Sequence, residues 1–200
     1  MNEEVDFGYK KVLYSDKEKN VRSVFDNVSN KYDLMNDLMS FFIHRIWKQE
    51  SVFNCGIKFG DIILDLASGT GDLSYLFYKK TFGNCNIFIG DINLSMLNLC
   101  RDKFISLGIV NNVNYVHLNA EYLPFDYNFF DCVSISFGLR NITNKKLALE
   151  NIYSVLKPGG RLVILEFSHP NSFFLNELYD FYSFNIIPKL GNIVCNDEIS

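Results

Sequence analysis

The run Ile62-Ile63-Leu64-Asp65-Leu66-Ala67 passes directly into Ser68-Gly69-Thr70-Gly71-Asp72, and a second apolar run, Asn86-Ile87-Phe88-Ile89-Gly90, ends on a lone Asp91. A nearly continuous apolar stretch of this length is the mark of a strand buried on both faces, as in a parallel sheet. The glycines follow where the backbone must turn sharply and let a ligand approach without Cβ interference. Asp91 lies about twenty residues beyond the turn, the spacing at which an acid ending the neighbouring strand accepts hydrogen bonds from both hydroxyls of a ribose. Turn and acid together describe a pocket for an adenosine-bearing cofactor.

The rest of the chain supplies the frame that this pocket needs. From Gly60 onward strand and helix patterns alternate: strands Ile62 to Ala67, Asn86 to Asp91, Val113 to Leu118, Asp131 to Ser136 and Arg161 to Phe167, with helices from Asp72 to Lys80, Ser95 to Leu107 and Asn144 to Leu156 between them. Lys157-Pro158-Gly159-Gly160 reads as the stop after the last helix, because proline cannot continue it and glycine permits a left-handed turn. Such alternation predicts right-handed crossovers and an α/β fold, a doubly wound, mostly parallel Rossmann-like sheet. Before it lies a polar and aromatic leader, residues 1–56, with apolar residues near helical spacing from Val21 to Met39 and a further helix from Ile43 to Phe53 that Gly56 ends. Residues 1–56 are therefore expected to form a helical extension acting as a lid, and 57–200 the cofactor-binding domain.

Composition removes several functional classes. With 200 residues, 48% of them apolar, the chain has enough material for a core without metal or disulfide support. A net charge of −4 with no basic stripe gives no footprint for a phosphate backbone, so nucleic acid is not an expected partner. Cys55, Cys85, Cys100, Cys132 and Cys195 are widely spaced, with neither C-x-x-C nor metal-ligand spacing, and read as buried residues in a reducing compartment. The acidic start Met1-Asn2-Glu3-Glu4 is unlike a signal or transit peptide, and no apolar run approaches the ~20 residues of a membrane helix. A cytoplasmic protein is expected, with any membrane contact peripheral.

Ligands of open α/β sheets bind beyond the carboxyl ends of the strands. Here those ends carry Ala67 to Asp72 with Gly69, Thr70 and Gly71, then Asp91-Ile92, then Asn119-Ala120, then Ser136 to Asn141. Each polar group has a bland alternative, since Asp72 can cap a helix and Asp91 a turn. A dinucleotide fingerprint requires G-x-G-x-x-G, but Leu73 stands where the final glycine or alanine belongs. An acid at Asp72 would also repel a pyrophosphate, whereas it suits a cofactor with a cationic centre and an α-amino group, as in S-adenosyl-L-methionine (SAM).

The strings D-L-A-S-G-T-G-D (Asp65 to Asp72), G-D-I-N-L-S-M-L (Gly90 to Leu97), N-A-E-Y-L-P-F (Asn119 to Phe125), F-D-C-V-S-I-S-F-G-L-R-N (Phe130 to Asn141), L-K-P-G-G-R-L (Leu156 to Leu162) and L-E-F-S-H-P (Leu165 to Pro170) resemble class I SAM-dependent methyltransferases. The leader strings F-G-Y at Phe7, K-Y-D-L-M-N-D-L-M-S-F from Lys31 and H-R-I-W-K from His44 narrow the resemblance to the UbiE/COQ5 family of ubiquinone and menaquinone biosynthesis C-methyltransferases. Ser68 and Phe42 stand where that family usually has glycine.

The resemblance implies SAM as cofactor, held by Thr70 with Gly69 and Gly71 of the turn, by Asp91 at the ribose, by Asn119 and Ala120 beside the adenine, and by Ser136. It implies C-methylation of a polyprenylated hydroquinone, a 2-polyprenyl-6-methoxy-1,4-benzoquinol or a demethylmenaquinol, with a lipid-soluble acceptor, peripheral contact at the inner membrane and a quinone-biosynthesis complex as its setting. The alternatives are a catalytically impaired SAM-binding subunit and a nicotinamide-dependent oxidoreductase.

Arg140 is the candidate for stabilising the acceptor phenolate, against a structural pairing with Asp33 or Asp37. His44 is the candidate general base, against a packed or capping role, and His169 is a second possibility. Tyr32 and Trp47 are expected at the lid. Phe173, Phe174, Tyr179, Phe181, Tyr182 and Phe184 are expected to furnish an apolar entrance or pack as an amphipathic helix. Family members continue past the position matched by Ser200, through a helix and two final strands, so the expectation is a sheet lacking its C-terminal strands, with Arg161 to Phe167 as its edge.

Overall fold

The computed structural model describes residues 4–7, 10–13, 16–17, 19–21, 37, 40 and 42–167. Five parallel strands form the central sheet: β3 (Ile62–Leu66), β4 (Asn86–Asp91), β5 (Val113–His117), β6 (Phe130–Ser136) and β7 (Leu156–Leu165), in the order β5-β4-β3-β6-β7. A separate antiparallel hairpin, β1 (Glu4–Phe7) and β2 (Lys10–Leu13), lies in the leader, where the sequence reading placed no strand. The helices are α1 (Ile43–Asn54), α2 (Asp72–Lys80), α3 (Leu94–Ser106) and α4 (Lys145–Val155).

Side chains alternate across the pleat and so feed two cores. Ile63, Ile87, Ile89 and Cys132 pack with Val52 of α1, Leu73 and Phe77 of α2, and Leu97, Cys100 and Phe104 of α3. On the opposite face Leu64, Leu66, Val133 and Ile135 pack with Ala148, Ile152 and Val155 of α4. Phe88 completes that side, making edge contacts with Phe125, Phe129 and Phe130 at centroid separations of 5.5 Å. The helix starts have local causes: Asn93 accepts from Met96 N and Asn144 from Leu147 N, each at 3.0 Å, satisfying an otherwise orphaned N–H.

Several boundaries differ from the sequence reading. β3 ends at Leu66 because Ala67 adopts φ 56°, leaving the extended region to open the turn. β5 ends at His117 rather than Leu118. β7 begins at Leu156, not Arg161, and ends at Leu165: Phe130 pairs with Leu156, Cys132 pairs with Arg161, and Lys157 to Gly160 bulge between them with Gly159 at φ 80°. The stop signal was thus a bulge early in a strand, since the helix already ends at Val155. Among the described residues β7 is an edge strand, and the expected helix from Val21 to Met39 lies outside them except for Val21 and Asp37.

Helix α1 is inverted in character. Its buried positions are His44, Lys48, Ser51 and Val52, while Ile43, Ile46 and Trp47 are exposed, together with Phe42 before the helix. The buried charges on α1 are tolerated because carboxylates meet them. His44 Nε2 lies 2.8 Å from Asp37 Oδ1, and Lys48 Nζ lies 2.7 Å from Asp72 Oδ2.

Candidate functional site

The chain order reverses between β5 and β6, which lie on opposite sides of β3, so the carboxyl ends of β3, β4 and β6 surround a topological switch point. A cleft opens there. β3 contributes Leu66, Ala67 and Gly69, β4 contributes Asp91 to Asn93, and β6 contributes Ser136, Phe137 and Gly138. Met96, Leu118, Asn119, Ala120 and Glu121 close one side, and Asn141 to Thr143 the other.

Backbone strain concentrates at this edge. Ala67 and Phe137, the residues where β3 and β6 leave the sheet, have φ of 56° and 55°, in a region costly for residues with a Cβ. Gly138 allows the two exits to approach: a Cβ there would meet the Ala67 Cβ at 2.5 Å. Gly69 and Gly71 also have positive φ, so the turn beginning at Ala67 places one left-handed residue after another beside the cleft.

Asp91 organises the floor. Its Oδ2 accepts from Gly69 N at 2.7 Å and its Oδ1 from Asn93 N at 2.8 Å, tying the β4 exit to the glycine turn. Desolvation pushes its carboxyl above the usual range, opposed by these backbone donors. An ionised carboxylate has about four acceptor positions, so capacity remains on the side facing the cleft. Asn119 Oδ1 accepts from Glu121 N at 2.9 Å, and Glu121 in turn accepts from Asn144 N at 2.8 Å, which fixes the loop bearing Asn119 and Ala120 against α4.

Two buried hydroxyls have no partner among the described residues: Ser136 Oγ at the end of β6, in the cleft lining, and Ser68 Oγ in the turn behind it. Unpaired buried hydroxyls cost stability unless something bonds them. Ser136, Asp91 and Asn119 form a polar set in the lining suited to the hydroxyls and amines of an adenosine-bearing ligand. SAM fits on those grounds.

The expected residues separate into groups. Gly69, Asp91, Asn119, Ala120 and Ser136 line one cleft. Thr70 and Gly71 belong to the turn behind the lining, where Thr70 is buried and its carbonyl accepts from Lys103 Nζ at 3.4 Å. His44 is also buried and does not line the cleft. Asp37 engages its Nε2, while its Nδ1 has no partner among the described residues. Arg140 stands just outside, half-exposed, with its guanidinium over the rings of Phe137 and Phe167. Its partner is Glu166, at 2.8 Å, and not Asp37, whose carboxylate already serves Arg45 and His44. Tyr32, Asp33, His169 and the aromatic residues from Phe173 to Phe184 lie outside the described residues.

Asp72 requires a correction. Its two oxygens each meet an ammonium at 2.7 Å, from Lys48 on α1 and Lys103 on α3, and it does not line the cleft. Burial raises its carboxyl, but the two lysines outweigh this and hold it well below the carboxylate range. Asp72 is therefore a clamp joining three helices. It does not repel a pyrophosphate as the sequence reading supposed, because the neighbourhood carries two positive charges to its one negative charge. The sequence reading also missed Asn93 and Glu121 as lining residues, while Phe137 and Gly138 fall in the Ser136 to Asn141 stretch that it named. Asn93 was accessible as a helix cap placed two residues after Asp91, whereas Lys48 and Lys103 gave no local signal because their partner is remote in sequence.

Comparison with known proteins places this arrangement. Residues 13–200 match the model of the ubiE/COQ5 methyltransferase family. The chain is 54% identical over 199 residues to the ubiquinone/menaquinone biosynthesis C-methyltransferase UbiE of Haemophilus ducreyi, covering 100% of this chain and 77% of that protein. Among solved structures it resembles a SAM-dependent methyltransferase from Aquifex aeolicus, with a TM-score of 0.57 and 21% identity over 63% of this chain and 66% of the other. It also resembles phosphoethanolamine N-methyltransferase 2 of Haemonchus contortus, solved with SAM, with a TM-score of 0.52 and 24% identity over 62% of this chain and 29% of the other. These structural likenesses establish the fold alone.

Proposed function

The chain belongs to the ubiE/COQ5 methyltransferase family, and on that premise we propose that the switch-point cleft holds SAM through Asp91, Ser136, Asn119, Ala120 and the turn Gly69-Thr70-Gly71, with Arg140 acting on the acceptor at its mouth. The protein is a SAM-dependent C-methyltransferase of ubiquinone and menaquinone biosynthesis, and its acceptor is lipophilic. When bound, SAM supplies a methyl group activated by a cationic sulfur.

The chain's own residues do the remainder. Asp91 accepts the ribose hydroxyls while holding Gly69 N, so ligand and turn share one carboxylate. Ser136, in the lining, gains the partner that it lacks among the described residues. Phe137, buried at the cleft wall, excludes water from the reacting edge, and placement of the reactants there supplies roughly 7–11 kcal/mol of barrier lowering in favourable cases. Carbon is a good nucleophile in a hydroquinone when the neighbouring hydroxyl is ionised. A guanidinium is a fixed positive charge at all working pH values, so Arg140 favours that phenolate. His44, held by Asp37 away from the cleft lining, pins the helix that carries Lys48 and Trp47.

The observation that carries the cofactor assignment is the set of Asp91, Asn119 and the unpartnered Ser136 hydroxyl lining one cleft at the switch point. Calorimetric titration with SAM and with NAD tests it; binding of NAD without SAM would reject it. Transfer of labelled methyl from SAM to tailed demethyl-benzoquinol and demethyl-naphthoquinol tests the reaction. Arg140→Lys should lower kcat with little change in SAM affinity, and an unchanged kcat would remove Arg140 from the chemistry.

A further inference from the structure

Beyond the cleft the molecule displays an apolar path with no structural need to be outside. Phe137 lines the cleft and stacks on Phe167 with centroids 4.6 Å apart. Phe167, 51% exposed, meets Trp47 edge-on at 6.0 Å. Ile43, four residues before Trp47 and three before Ile46, is the helical neighbour of both on the outer side of α1, and those isoleucines are 44% and 65% exposed. The rings and aliphatic side chains thus lead from the cleft wall onto the outer face of α1.

The inverted character of α1 makes this path informative. A surface helix normally buries its apolar stripe and presents its polar face to water. Here His44, Lys48 and Ser51 face inward and Ile43, Ile46 and Trp47 face outward. An exposed apolar stripe continuous with a binding cleft marks a surface that something apolar covers.

We propose that this path, Phe137 to Phe167 to Trp47 and on to Ile43 and Ile46, is the binding track for the isoprenoid tail of the quinol acceptor. The inference rests on the methyltransferase reading and adds where the tail goes. Three features select a tail as the occupant. The path starts inside the cleft, so one ligand reaches both. It is made of rings and branched aliphatic side chains, suited to a hydrocarbon. Arg140 lies over Phe137 and Phe167 at its inner end, placing a cation where the acceptor's ring oxygen meets the first of the rings.

Trp47 is the only tryptophan in the chain, so its fluorescence reads the track directly. Titrating the full chain with a dispersed isoprenoid alcohol should shift its emission to shorter wavelength in a saturable way, and a quinol without a tail should compete poorly. Absence of a shift would overturn the proposal. So would an equal shift with phosphatidylcholine vesicles that the alcohol does not compete away, which would assign the face to a bilayer. A shift abolished only by deleting residues 168–200 would assign it to that segment of the chain instead.

The kinetic arm uses Ile46→Ser and Ile43→Ser, exposed residues outside the cofactor site and not in contact with Arg140. Each should raise KM about tenfold for a tailed acceptor and leave KM for a tail-less one unchanged. An equal rise for both acceptors overturns the track while leaving the methyltransferase reading intact. Failure of the unaltered protein to methylate any quinol, with or without a tail, would defeat that reading and the track with it.

Discussion

The cofactor side and the acceptor side of the site are built on opposite principles. Around Asp91 the groups are buried, tied to backbone donors and held by strained strand exits at Ala67 and Phe137. Around Trp47 and Phe167 the groups are exposed, apolar and joined by ring contacts. Adenosine recognition depends on hydrogen bonds placed to within a few tenths of an ångström, which only a packed sheet edge supplies. A hydrocarbon tail offers no such bonds, and an exposed strip meets its need for area. Substitutions on the two sides should therefore fail in different ways.

The largest effect is expected beneath the cofactor turn. Asp65 is 2% exposed on β3, and its Oδ2 accepts from Ser74 N at 3.0 Å and Ser74 Oγ at 2.5 Å. Desolvation raises its carboxyl to about 7, against the Ser74 bonds. A folded-state value above the unfolded one means that the folded protein keeps a proton which the unfolded chain has released. Stability from this group is thus greatest below the ordinary carboxylate range, falls as pH rises toward about 7, and levels above it; the full span is at most roughly 4 kcal/mol. Urea unfolding at several pH values should show that decline. Asp65→Asn should flatten most of it, leaving a remainder from Asp91, which burial also raises. A slope unchanged by Asp65→Asn would break the account.

Next comes Asp91→Ala. Charge-assisted hydrogen bonds contribute about 1.5–3 kcal/mol each, so losing two to the ribose should weaken SAM binding by about a hundredfold or more, with calorimetry as the readout. The tail-dependent shift of Trp47 should survive in this variant, because the two sides are separate. Loss of both together would show that the glycine turn also shapes the track.

Asp72→Asn should cost roughly 2 kcal/mol of stability, below the 3–5 typical of a fully buried pair because Asp72 and Lys103 are each about a third exposed. Its pH window is the reverse of Asp65's. A carboxyl held below the ordinary value stabilises above that value, and the contribution is lost as pH falls beneath it. Thermal unfolding near pH 7 checks the first statement; a melting temperature equal to that of the unaltered chain would mean that the clamp contributes nothing.

These contrasts also mark how far the sequence could be read. The parallel sheet was legible because Ile62 to Leu66 and Asn86 to Asp91 are apolar runs with turn residues at their ends, and the same local pattern pointed to Gly69, Asp91, Asn119 and Ser136. Asp72 was misread because its role depends on Lys48 and Lys103, which approach through tertiary packing and leave no periodic trace. The outward face of α1 was obscured for a related reason. Helical spacing locates a stripe of Ile43, Ile46 and Trp47, but only the buried partners of His44 and Lys48 reveal that the stripe faces out. Local geometry is written in neighbouring residues, whereas the orientation of an inverted helix is decided by charges elsewhere.

The smallest effect is expected from Glu166→Gln, and it separates stability from chemistry on the acceptor side. Glu166 Oε1 accepts from Arg140 N at 3.2 Å and its Oε2 from Arg140 Nη1 at 2.8 Å, so it orients the guanidinium from two directions. Arg140 is 46% exposed, and pairs of that kind contribute about 0.2–1 kcal/mol, so the melting temperature should barely move. If the pair holds Arg140 over Phe137 and Phe167, loosening it should lower kcat about threefold, in keeping with an exposed ion pair of ~0.7 kcal/mol. SAM affinity should be unchanged, since Glu166 and Arg140 lie outside the cleft lining. An unchanged kcat would make the pair a surface ornament and shift the burden of positioning Arg140 to the rings alone; a drop confined to tailed acceptors would instead tie Arg140 to the track.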